Sequence, residues 1–194
     1  MGYIIVSTEW KQYLCNEMKN QISNTLEELL KYFPKLDPPM TLSGEVIHTF
    51  STRNKAIPAQ LIDKLFRKWE SMDEYSEIIP CFQLESSGEH FIIVYWKGGL
   101  LTYEYVLMTL NKKAGVISKK VIAGTLSNNR TIKESVAVIN EDLQIFSVVG
   151  ETDINKSAYN PENSASFYFE ILPDGSISST KEDNETWEEK ERKN

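Results

Sequence analysis

Cysteine and histidine are scarce in this chain, two of each in 194 residues: Cys15 and Cys81, His48 and His90. Two cysteines set among apolar neighbours are not the framework of a disulfide-stapled fold, and they read as buried free thiols in a reducing, cytoplasmic setting. With two histidines, a metal site would need carboxylates or cysteines to complete it. Neither Cys-x-x-Cys nor His-x-Glu spacing occurs, so no metal and no cofactor is expected.

Long apolar runs are missing as well. The run Phe91–Trp96 is broken at once by Lys97-Gly98-Gly99, well short of the ~20 residues of a membrane-spanning helix. Met1-Gly2-Tyr3-Ile4-Ile5-Val6 has no basic segment ahead of an apolar core, and Val6 stands where a myristoylation signal wants Ser or Thr. Neither secretion, lipidation nor a membrane partner is expected. Gly88 and Gly98-Gly99 lack the repeated-glycine or Gly-Lys-Ser/Thr context that seats phosphate, and read as hairpin turns. No Gly-x-Ser-x-Gly elbow occurs and neither cysteine has an adjacent histidine, so nothing marks a covalent hydrolase and the chain reads as a non-enzyme.

What is present is a globular composition, 41% hydrophobic and 25% charged, with a formal net charge of −7 from 28 acidic and 21 basic residues. A field of that sign repels phosphate backbones, so nucleic acid is not an expected partner. The segment Lys181–Asn194 holds six acidic and four basic residues with Trp187 as its one large apolar side chain, so most of the negative charge belongs to the body.

From Glu9 to Phe33, Trp10, Tyr13, Leu14, Met18, Ile22, Leu26, Leu29, Leu30 and Phe33 recur at three- and four-residue intervals. This predicts an amphipathic helix capped by Ser7 or Thr8 and stopped by Pro34. A second helix is predicted from Pro58, with Leu61, Ile62, Leu65, Phe66, Trp69 and Met72 on one face. Between them, Glu45–Ser51 alternates weakly and reads as a short strand.

After Tyr75 the apolar period shortens towards two. Strands are predicted near Glu77–Glu85, His90–Trp96, Leu101–Leu110, Val116–Ala123, Thr131–Ile139, Leu143–Gly150, Ser166–Leu172 and Ser176–Ser179. Their short connections require antiparallel neighbours, because a parallel pair needs a crossover of about a dozen residues. The expected fold is α+β: amphipathic helices in residues 1–75, packed on an antiparallel meander of about eight strands in 76–180, followed by a charged tail, 181–194, in one continuous unit. The meander would be a curved sheet, barrel-like or two stacked sheets.

The candidate site is the aromatic cluster on the third and fourth of those elements, Tyr95, Trp96, Tyr103 and Tyr105, with His90 at the start of its strand and Glu104 between two tyrosines. Strand alternation sends Tyr103 and Tyr105 to the core and Glu104 to solvent. The leading functional expectation is a non-enzymatic protein-binding module of inhibitor or immunity type, taking a basic partner through an acidic surface and aromatic positions. The rival readings are a small-molecule pocket walled by Tyr95, Trp96, Tyr103 and Tyr105, and an enzyme built on two converging carboxylates. Oligomeric state is left open.

Overall fold

Period-2 patterning after Tyr75 does form strands, and they are the frame of the molecule. A computed structural model describes residues 24–86, 88–154 and 158–182. A short strand, β1 (Met40–Leu42), precedes β2 (Glu77–Leu84), β3 (His90–Gly98), β4 (Thr102–Asn111), β5 (Val116–Ser127), β6 (Thr131–Ile139), β7 (Ile145–Asp153), β8 (Ala158–Ile171) and β9 (Ile177–Glu182). From β2 to β9 each strand pairs with the next, antiparallel throughout, in one open nine-stranded sheet. β1 joins off this path, pairing Met40 to Leu42 with Ile139 to Ala137 of β6. The fold is thus mostly β with short helices, α+β in the broad sense.

Three helices are described: α1 over 24–30, α2 (Ile47–Arg53) and α3 over 59–69, the last containing a π-helical stretch, Ile62–Phe66. The predicted helix from Glu9 therefore enters the described residues only at its end. There Tyr32 and Phe33 donate their amides three residues back, tightening the last turn before Pro34. Residues 181–194 lie outside the described part beyond Glu182.

The expected strand Glu45–Ser51 is not one, since Ile47–Arg53 is helical. The Ser51 and Thr52 hydroxyls bond back to the His48 carbonyl at 3.1 and 2.7 Å, so residues whose propensity favours extended chain satisfy themselves locally. The strand expected from Leu143 begins instead at Ile145, because Leu143 sits in the preceding turn at φ 63°.

Packing explains why β3 and β4 lack clean alternation: both of their faces are buried. On one face, Ile78, Ile93, Tyr95, Val106, Met108 and Leu110 meet the helical side chains Leu26, Leu29, Leu61, Leu65 and Phe66. On the other, Phe82, Ile92, Val94, Tyr105 and Leu107 share a core with Ala137, Ile139, Ile145, Phe169 and Ile177 from β6 to β9. The sheet bends enough for its two halves to bury one core. Each such aliphatic or aromatic side chain contributes about 1.5–3 kcal/mol on leaving water. The bend falls in β5, where the register shifts opposite Tyr105 and Val106 and Gly124 takes φ 147°.

The outer edge of β2 is closed by loop backbone and side chain. Gln83 donates to the Pro34 carbonyl at 2.9 Å and accepts from Leu36 at 3.0 Å, while the Asn54 amide reaches the Pro80 and Cys81 carbonyls, each at 2.7 Å. Such cover removes a template for strand pairing with other chains.

Candidate functional site

The six residues nominated from sequence fall in three places. Tyr95 and Trp96 are neighbours in β3 and so point to opposite faces. Tyr95 is fully buried on the helix side, edge-on to Phe66 with ring centroids 5.1 Å apart. Tyr105 is buried in the core between the sheet halves, its hydroxyl donating to the Ser43 carbonyl at 2.9 Å. Trp96 is half-buried and stacks on Tyr103, centroids 5.6 Å apart and planes at 9°. The four rings therefore do not wall one cavity.

Tyr103 corrects the alternation argument, for it is 47% exposed while Tyr105, on the same face, is 1% exposed. It lies at the hairpin end, past the reach of the second sheet half. Glu104 is half-buried rather than pointing to open solvent, and it lines a cleft against the loop that follows α3.

His90 stands seven residues from Lys97, ~23 Å along the strand at ~3.3 Å per residue, and so belongs to a different region. Its Nε2 lies 3.0 Å from Ser86 Oγ, a hydroxyl–imidazole pair that a nucleophile would need. Ser86 Oγ also accepts the Gly88 amide at 3.0 Å, and a Cβ on Gly88 or Gly175 would come within 2.7 or 3.1 Å of the ring. The imidazole is packed between the β2–β3 and β8–β9 turns. It holds two hairpins together.

A charged knot that sequence reading passed over lies at the end of α3. Glu70, its side chain 5% exposed, receives the Tyr95 hydroxyl, the Lys97 amine at 2.8 Å and the Lys119 amine at 2.7 Å. Lys119 also donates to the Trp69 carbonyl at 3.0 Å. Burial alone would raise the Glu70 carboxyl, but these hydrogen bonds outweigh it and hold the group below its ordinary value. Tyr95 is pushed up, first by burial and then by Glu70 and Glu104. Both carboxylate oxygens of Glu70 and the Tyr95 hydroxyl thus have partners, a satisfied polar network. Among the described residues, no group of three or more His, Cys, Asp or Glu side chains is placed to hold a metal ion.

Among the described residues, one face on the second half of the meander is left partly uncovered. Residues paired in register share a face. Along β6 the inward residues Ala137 and Ile139 alternate with Val136 and Val138, and along β7 Ile145 and Ser147 alternate with Phe146 and Val148. Two adjacent outward rows result: Val136–Val148–Ser166, and Val138–Phe146–Tyr168–Thr180. Beyond them Glu134 pairs with Thr125 of β5, which pairs in turn with Tyr103 of β4.

Val136 and Val148 are 42% and 44% exposed. The rim is acidic: Glu134 on one side, Glu170 and Asp142 on the other. Partial loss of solvent and the latter two carboxylates push the Tyr168 hydroxyl above its ordinary value. Sequence pattern carries the alternation of β6 and β7 but not which of two apolar sides is covered.

Compared with protein-family models, curated proteins and solved structures, the chain matches none. Among the described residues, no helix is long and apolar enough to cross a membrane.

Proposed function

We propose that this chain is a non-enzymatic protein-binding module that takes a basic partner on the outward face of β6–β8. The supporting observation is the asymmetry of the sheet. β3 and β4 are covered on both sides, whereas on the outward side of β6–β8 Val136 and Val148 are exposed and Val138, Phe146 and Tyr168 only half-buried among the described residues. Contiguous apolar surface rimmed by polar groups is the kind of surface that interaction sites present.

The rim residues Glu134, Asp142 and Glu170, with the net charge of −7, select a partner whose own rim is positive and steer it on approach. The same charge disfavours nucleic acid. The buried free thiol of Cys81 fits a reducing, cytoplasmic setting for such a module. In this reading the finer architecture is a helical layer and two sheet halves stacked on a common core, and the inhibitor or immunity class is its extension to a partner that must be neutralised.

The test is affinity capture from the native host's lysate with the full chain and with a Val136→Lys/Val148→Lys variant, at low and high salt. A basic protein held by the wild type, released by salt and lost in a variant that keeps its urea midpoint supports the reading. Retention of the same proteins by both chains, or of no basic protein, overturns it.

A further inference from the structure

A cleft of about 390 Å³ opens between the loop after α3 and the β3–β4 hairpin. Ser71 and Asp73 form its loop side, Lys97 and Glu104 lie on the strands, and Leu100 and Leu101 form an apolar lip, 69% and 51% exposed. Lys97 and Glu104 are paired in register and would ordinarily neutralise each other across the strands. They do not, because the Lys97 amine is held by Glu70 at 2.8 Å. The Glu104 carboxylate is left half-buried in the cleft with no ion pair or side-chain hydrogen bond among the described residues.

The cleft thus has a carboxylate in want of a cation and an apolar lip of the length an alkyl chain covers. Asp73 adds a second negative charge at the loop side. Its Oδ1 is taken by the Tyr75 amide at 3.0 Å and the Ser76 hydroxyl at 2.7 Å, which fixes the carboxylate in place. We infer that this cleft receives one protruding cationic side chain, lysine or arginine, of the basic partner, its charged end on Glu104 and its stem along Leu100 and Leu101.

The inference rests on the protein-binding reading and supplies its specificity pocket.

Isotope-labelled full chain titrated with Nα-acetyl-lysine methylamide, Nα-acetyl-arginine methylamide and the neutral glutamine counterpart decides the matter. The cationic probes should give saturable amide shifts at Gly98, Gly99 and Thr102 with a dissociation constant on the order of millimolar, as befits so small a ligand. Glutamine should give none. Glu104→Gln should weaken binding at least about tenfold, and Val136→Lys/Val148→Lys should leave it intact. Absence of saturable shifts, equal shifts with the neutral probe, or undiminished binding in Glu104→Gln overturns the cleft assignment. Because the capture experiment reads the outward face alone, it can fail or succeed independently of this one.

Discussion

Lys97 and Glu104 face one another across β3 and β4, yet the Lys97 amine lies 2.8 Å from Glu70. The exchange follows from burial. A carboxylate only 5% exposed needs cations more than a half-buried one does, since leaving a buried charge unpaired is among the costliest defects a fold can carry. Glu70→Gln should therefore destabilise the protein by about 2–3 kcal/mol, below the usual range for a fully buried pair because both lysines keep part of their hydration. Urea unfolding at neutral pH checks it, and a change within about 0.5 kcal/mol would show that the knot contributes nothing net.

Acid should erase that difference. The folded Glu70 carboxyl lies below its ordinary value of 4.5, so its stabilisation is complete above that value and is lost as pH falls through the lower folded value. The gap in urea midpoint between wild type and Glu70→Gln should be largest at neutral pH and shrink steadily below about pH 4.5. A gap that stays constant down to the acid transition would mean that the loss comes from shape and not from charge.

The knot also marks what could be read from the sequence. Strands β2–β9 were legible because turn residues and period-2 runs are local signals. Glu70 was not, as its partners Tyr95, Lys97 and Lys119 are 25, 27 and 49 positions away and nothing near Glu70 announces them. The runs Ile92–Tyr95 and Tyr105–Leu110 do carry information beyond strand propensity: their lack of alternation records burial on both faces. Tyr103 escapes that rule since it sits at the hairpin end. β1 spans three residues after two prolines, too few to show a period, and α2 is built from Thr, Ile and Phe, whose preferences point to strand.

Gly124 fixes the bend on which the shared core depends. A Cβ there would lie 2.0 Å from the Tyr103 carbonyl oxygen, a backbone atom with no rotamer to yield, at a φ of 147° that L side chains rarely adopt. Gly124→Ala should cost more than about 3 kcal/mol. Gly44→Ala, with nothing within 4 Å of the added carbon, should fall within about 0.5 kcal/mol of wild type. Comparable urea midpoints for the two variants would contradict the close approach of β5 to β4.

Cys81 is fully buried in the core, and burial pushes its thiol up, away from the reactive thiolate. In a Cys15→Ser background, an aromatic disulfide reagent at pH 8 should leave Cys81 unmodified in native buffer and react stoichiometrically once urea unfolds the chain. Prompt native-state modification would place Cys81 near the surface and undo the assignment of β2 to the shared core.

The orientation of the second sheet half admits a direct stability test using two neighbours on β7. Ile145 points into the core at 0% exposure, and Val148, three residues on, points outward at 44%. Ile145→Ala should cost about 2–5 kcal/mol through lost transfer energy and the cavity left behind. Val148→Ala removes carbon that is already hydrated and should cost no more than about 0.5–1 kcal/mol, chiefly through strand propensity. If Val148→Ala proves as damaging as Ile145→Ala, another layer covers that face in the free protein. The rows Val136–Val148 and Val138–Phe146–Tyr168 would then be core, and no partner could dock there.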